Sequence, residues 1–304
     1  MQAMSSSPAP CLADSLPACT PPLDLADNEV HLWWAPSALP DAQALAQLAP
    51  DEHAQARRFV FAQDQHRHLA TRWLLRSTLS RYAAVCPDAW RFTRNAWGRP
   101  RISGPAVTAP LHFSLSHSGG WVVLAVARFP DVGVDIEGHA PDDMDGIVRG
   151  FFTAAEVDWW WQAGASPAGR RQRFLTLWTL KEAYVKARGR GLSLPLQDFS
   201  VLPDADGQAR LHASGAVDAG AGAWRAWHGA GPDGMAVAVL MRAPGGPALA
   251  LVHRQPPWVS RRVQCLEPVR VQAPSGGHQS STDPVRIRLQ AHSSACPARR
   301  DRHD

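Results

Sequence analysis

A chain of 304 residues, 45% apolar and 19% charged, has material for one large globular domain or two of ordinary size. No apolar run approaches the roughly 20 residues of a membrane-spanning helix, which excludes a helical membrane protein. The net charge of +4 belongs to the end of the chain: residues 254–304 hold nine Arg and four acids, leaving 22 basic and 23 acidic residues in 1–253. The pI near 9.0 therefore supports loose electrostatic association and not a nucleic-acid-binding fold.

Residues 1–24 are rich in Pro, Ser and Ala and read as a disordered tail, without the basic segment and apolar core of a secretory signal. Five scattered cysteines (Cys11, Cys19, Cys86, Cys265, Cys296) show no metal spacing. They predict reduced thiols, a cytoplasmic setting and no structural zinc. Residues 29–35 (EVHLWWA) read as a first strand, followed by a short helix near 41–48 and a longer helical region from about 51 to 82. In that region Phe59, Leu69, Trp73, Leu75 and Leu79 form an apolar stripe, with Arg57, Arg58, Arg67, Arg72 and Arg76 on other faces. A short strand over 90–94 leads into NAWGRPRI, where Gly98 and Pro100 bracket Arg99. Arg94 and Arg99 flank this tight turn, which suits phosphate or an ordinary hairpin with exposed arginines.

Residues 111–118 (LHFSLSHS) alternate as a half-buried strand, and the tip from Ser116 through His117 to Gly120 offers hydroxyls, an imidazole and free N–H groups. WVVLAVA, residues 121–127, follows as a buried strand. In VGVDIE, Val132, Val134 and Ile136 point one way and Gly133, Asp135 and Glu137 the other. Carboxylates at i and i+2 repel unless a cation lies between them. The pair reads as ligands for Mg²⁺ or Mn²⁺, since only hard oxygen donors are offered, with two solvated acids on an edge strand as the alternative.

Residues 144–161 read as one or two short helices, with Thr153 and Glu156 spaced as a capping box. The chain then turns on a helix over about 167–188, closed by Gly189, that carries WTLKEAYVK. Glu182 and Lys186 share one face of it. Among 31 basic residues only Lys181 and Lys186 are lysine. Their retention marks positions where a compact ammonium does what a guanidinium cannot, such as acting as a point charge on phosphate. Lys186 is the stronger candidate; Lys181 lies off the Glu182–Lys186 line and stays open between site and surface. Strands follow over 198–202, 208–213, 223–229 and 235–241, after which the chain becomes Pro- and Gly-rich and loses periodicity. The order predicts an α+β fold of two pseudo-duplicated halves, 25–129 and 130–250, each a long helix packed on a small, mainly antiparallel sheet. Disordered tails over 1–24 and 251–304 complete the expected layout.

GRP with SLSHSGGWV, then VGVDIE, then WTLKEAYVKARGRGL, in this order, resemble the 4′-phosphopantetheinyl transferases of the larger, surfactin-synthetase-activating type. The resemblance spans about 50–240. It implies a monomer with coenzyme A between two similar halves, moving phosphopantetheine onto a serine of an apo acyl or peptidyl carrier protein and releasing adenosine 3′,5′-bisphosphate. By position, Asp135, Glu137 and Glu182 would be metal ligands. Arg94, Gly98, Arg99 and Pro100 would line the nucleotide, Ser116 and His117 would meet coenzyme A phosphate, and Lys186 would sit beside the pyrophosphate. Where relatives place a basic residue for the 3′-phosphate, this chain has Gln55, with Glu52 three residues before it. Competing readings are a non-catalytic module binding nucleotide or nucleic acid, and a different Mg²⁺-dependent phosphotransferase, for which no Walker-type loop is present.

Overall fold

A computed structural model describes residues 22–162, 166–204, 208–213, 223–242, 248–259 and 269–272. The chain opens with β1 (Glu29–Pro36), α1 (Ala42–Ala46), α2 (Pro50–Ala56) and α3 (Ala62–Leu79). Five strands follow: β2 (Arg91–Arg94), β3 (Pro100–Gly104), β4 (His112–Ser118), β5 (Trp121–Ala127) and β6 (Asp131–Glu137). Then come α4 (Met144–Phe151), α5 (Ala154–Trp161) and α6 (Pro167–Arg188). The last strands are β7 (Phe199–Pro203), β8 (Gln208–Ala213), β9 (Arg225–Ala230), β10 (Ala236–Arg242), β11 (Ala248–Arg254) and β12 (Val269–Gln272).

The class is α+β, as expected. One five-stranded sheet has the order β12-β11-β1-β5-β4, a second the order β6-β10-β9-β8-β7, and β2-β3 forms a separate hairpin. Strand alternation divides the apolar residues between layers. Val30, Leu32, Val123, Val134, Ile136, Val237 and Val239 meet between the sheets. The other face of β5, with Val122, Leu124 and Val126, packs against Leu74, Leu75 and Leu79 of α3. The other face of β10, with Ala238 and Leu240, packs against Leu180, Ala183, Tyr184 and Ala187 of α6. The layers thus run helix, sheet, sheet, helix. α6 begins on Ser166, whose hydroxyl accepts the Gly169 N–H, and stops at Gly189, which adopts the left-handed φ of 62° that a side chain would disfavour.

Three expectations need correction. The helical region over 51–82 is two helices, because the chain leaves helical conformation between Ala56 and the Phe61 cap of α3. The boundary at 250 falls inside β11, which pairs in parallel with β1 from Glu29↔Ala250 to Trp33↔Arg254, and β12 pairs with β11. The chain after 247 therefore returns to the first sheet; a short apolar run beside Pro and Gly carries no sign of so distant a partner. Finally, Cys86 is disulfide-bonded and not a free thiol. Linear spacing says nothing about which thiols the fold brings within the roughly 6 Å that a bridge requires. The other four cysteines lie outside the described residues, as do residues 1–21, 260–268 and 273–304 of the tails expected over 1–24 and 251–304. No described helix is long and apolar enough to cross a membrane.

Candidate active site

The site forms where β6 and α6 meet. Val132, Val134 and Ile136 enter the core between the sheets, which turns Gly133, Asp135 and Glu137 toward α6. At Gly133 a Cβ would stand 2.0 Å from the Ala183 carbonyl oxygen and 2.5 Å from the Ala187 nitrogen. Only glycine allows this approach, and it brings Glu182 and Lys186 over Asp135. Lys186 Nζ donates to Asp135 Oδ1 at 2.6 Å, and Ser116 Oγ donates to the same oxygen at 2.7 Å. Asp135 is 3% exposed, and its second oxygen, Oδ2, is buried without a hydrogen-bond partner. Ser118 Oγ donates to Glu137 Oε2 at 2.9 Å.

Three carboxylates share this field. Burial raises the Glu182 pKa, and the charges of Asp135 and Glu137 raise it further against the pull of Lys186. Burial also raises that of Glu137, with Asp135 adding to it and Ser118 and Lys186 opposing. One ammonium does not neutralise three acids, so the site lacks positive charge. The orphaned Asp135 oxygen and the two proton-hungry glutamates suit a hard cation. They do not form a closed cage: among the described residues, no three His, Cys, Asp or Glu side chains stand ready to hold an ion. An open half-site fits Mg²⁺, which keeps several waters and takes few protein carboxylates.

Two family descriptions match the chain: "4′-phosphopantetheinyl transferase superfamily" over 131–240, and "4′-phosphopantetheinyl transferase, N-terminal" over 33–128. The 4′-phosphopantetheinyl transferase HetI of a Nostoc species is 35% identical over 178 residues, covering 57% of this chain and 74% of the relative. The 4′-phosphopantetheinyl transferase Sfp of Bacillus subtilis is 34% identical over 164 residues, covering 54% and 70%. The chain belongs to the 4′-phosphopantetheinyl transferases. In this transferase the 131–240 match contributes Asp135, Glu137, Glu182 and Lys186, and the 33–128 match contributes the facing wall. A cleft of about 600 Å³ opens between them, lined by Trp97, Gly98 and Pro100, by Phe113 and Leu115, and by Glu182, Val185 and Lys186.

The transferase gives some predicted residues partners within the protein. Ser116 is 7% exposed, and its hydroxyl donates to Asp135. Arg99 gives Nη1 to the Ala187 carbonyl at 2.6 Å, and Nη2 to those of Pro130 and Val132 at 2.8 and 3.1 Å. Its guanidinium closes the end of α6 onto the start of β6, and it also lines the cleft. Asn95 holds the same loop, accepting the N–H groups of Trp97 and Arg99 and donating to the Gly189 carbonyl at 2.7 Å. Arg94 is exposed beyond its bond to the Gly98 carbonyl, and Gly98 takes a φ of 88°. His117 is exposed near the end of β4; surrounding protein, then the charges of Arg67 and Lys186, depress its pKa. Arg67 of α3 is therefore near enough for its charge to act on His117.

Glu52 explains the departure near Gln55. It is buried, accepts Arg72 Nε at 2.6 Å, Arg76 Nε at 2.8 Å and the Ala49 N–H at 2.9 Å, and so anchors α2 to α3. Burial works to raise its pKa, but the arginines outweigh burial and hold it low. Beside it a second cleft, of about 610 Å³, is lined by Arg58, His68, Arg72 and Arg94. Lys181 is structural. Its ammonium lies 2.7 Å from Glu156 and 2.8 Å from the Phe199 carbonyl, with both side chains fully buried. The sequence placed Gly133 on the face of the acids and the Ser118 hydroxyl at the hairpin tip but gave neither its task, the close approach of α6 and the bond to Glu137.

Proposed function

We propose that the transferase catalyses attack by a carrier-protein serine on coenzyme A, with Asp135, Glu137 and Glu182 as the binding group for Mg²⁺. The serine oxygen forms a bond to the phosphorus bearing the pantetheine arm. The bond from that phosphorus to the bridging oxygen breaks, and adenosine 3′,5′-bisphosphate leaves. Bound Mg²⁺ supplies charge neutralisation on the pyrophosphate oxygens. Glu182, with its pKa raised by burial and like charge, takes the serine proton. Lys186, 29% exposed, presents its ammonium to the departing phosphate. Gly98 and Pro100 form the nucleotide side of the cleft, Arg94 extends it into the adjoining cleft that shares Pro100, His117 and Arg67 add basic charge nearby, and Arg99 and Ser116 hold the walls in place.

One observation carries this reading: a lysine bonded to a buried aspartate, within the field of two glutamates with raised pKa values, at the mouth of a cleft between the two matched segments. We also read the two layers as duplicated halves, on the ground that each five-stranded sheet carries one long helix, α3 or α6. Intact-mass analysis of an apo carrier protein incubated with coenzyme A and Mg²⁺ tests the reaction. The expected result is a gain of one phosphopantetheine, abolished by chelator and by Glu182→Gln. Full turnover by Glu182→Gln would remove that residue from both of its roles.

A further inference from the structure

β4 and β6 are edge strands of different sheets, and among the described residues each forms a backbone ladder only with its own sheet. Serine hydroxyls close the seam between them. Ser114 Oγ accepts the N–H of Val134 at 3.1 Å, Ser116 Oγ that of Ile136 at 3.4 Å and Ser118 Oγ that of Gly138 at 3.1 Å, each pair 20 residues apart. The constant offset means that the strands run side by side in parallel, with side-chain oxygens standing in for the carbonyls of a missing partner strand.

A hydroxyl that accepts still has one proton to give. Ser116 gives its proton to Asp135 Oδ1 at 2.7 Å, and Ser118 gives its to Glu137 Oε2 at 2.9 Å. At the first rung the corresponding site-facing residue is Gly133, so Ser114 has no carboxylate to orient. Each of the other two serines is a two-way clamp, fixed by a β6 N–H on one side and holding one carboxylate oxygen on the other. For Asp135 this leaves Oδ2 bare.

We propose that Ser116 and Ser118 are positioning residues that aim the metal-binding carboxylates of one sheet from the edge strand of the other, so that a competent cation site exists only while the seam is closed. The inference rests on the reading of Asp135 and Glu137 as metal ligands. Groups that orient metal ligands commonly change metal affinity by about 10- to 100-fold when removed, because the ligand then samples rotamers that face away.

The three rungs supply their own control. Mn²⁺ binding to the enzyme–coenzyme A complex, without carrier protein, can be followed by electron paramagnetic resonance alongside thermal melting. Ser114→Ala and Ser118→Ala each remove one rung, and both should lower Tm. Only Ser118→Ala should weaken Mn²⁺ binding, by about 10-fold or more, and Ser118→Thr should restore it. Ser118→Cys, which keeps the volume with a poorer donor, replaces the alanine variant if that does not fold. Equal Mn²⁺ affinity in the Ser114 and Ser118 variants would overturn the clamp while leaving the metal reading intact. Failure of the unaltered complex to bind Mn²⁺ would overturn the metal reading, and the clamp with it.

Discussion

The two lysines of this chain show how one chemical preference serves two ends. Lys181 is fully buried between Glu156, the Phe199 carbonyl and the Phe199 ring, 4.4 Å from its ammonium. Lys181→Met is expected to strand the Glu156 charge and cost about 3–5 kcal/mol of stability, read as a large drop in urea midpoint. Lys186 has the opposite profile: partly exposed, bonded to Asp135, and beside the cleft. Lys186→Ala should lower kcat by roughly 10²- to 10³-fold, the usual loss when one charge-stabilising donor is removed, and Lys186→Arg should recover little of it. Normal turnover by the arginine variant would show that charge alone, and not a compact ammonium, is needed. The rarity of lysine was visible in the sequence and pointed to both positions. The Glu182 line favoured Lys186 as the one facing chemistry; that Lys181 is buried and structural was not visible, because that depends on which elements cover each face of α6.

At the scale of elements, the site depends on how closely α6 lies on β6. Gly133 sets that distance, since its missing Cβ is the space occupied by the Ala183 carbonyl. Gly133→Ala should force the helix outward, lowering Tm by an overpacking cost of about 1–3 kcal/mol or more, and separating Glu182 and Lys186 from Asp135. Gly150→Ala provides the comparison: it lies within α4 with nothing inside 4 Å of its new methyl, and should be neutral or slightly stabilising. An intact kcat in Gly133→Ala would mean that the site tolerates a looser helix. The helix itself was legible, because Gly189 marks its end and apolar spacing marks its buried face; the Ser166 cap came from the structure. The acid pair on β6 was legible from strand alternation alone. The serine rungs and Arg99 were not, because a hydroxyl or guanidinium whose partner lies 20 or 88 residues away looks like any polar surface group.

At the scale of the whole molecule, the return of β11 to the first sheet escaped the sequence because parallel pairing across more than 200 residues leaves no local mark. Its consequence is a polar network buried where β1, β11 and the chain after α3 meet. His31 is 0% exposed; its Nδ1 accepts from Tyr82 Oη at 2.7 Å and from Arg254 Nε at 3.1 Å, while Nε2 faces Glu29 at 3.2 Å. These partners assign the neutral ring with its proton on Nε2. Burial, followed by the Arg254 charge, lowers the His31 pKa to about 4, against 6.5 for the free side chain. The unfolded chain therefore binds a proton that the folded chain refuses between those values. Stability from His31 is full above pH 6.5 and is lost as pH falls toward 4, up to about 3 kcal/mol. His253 on β11, lowered to about 4 by burial, adds a second group of the same sign. Urea midpoints measured from pH 7.5 to 4.5 should fall steeply below 6.5. His31→Gln, which keeps hydrogen-bonding capacity without the titration, should lower stability at neutral pH yet flatten the slope by about one proton. An unchanged slope in that variant would mean that His31 takes up its proton without loss of the β1–β11 junction, and that acid unfolding begins elsewhere.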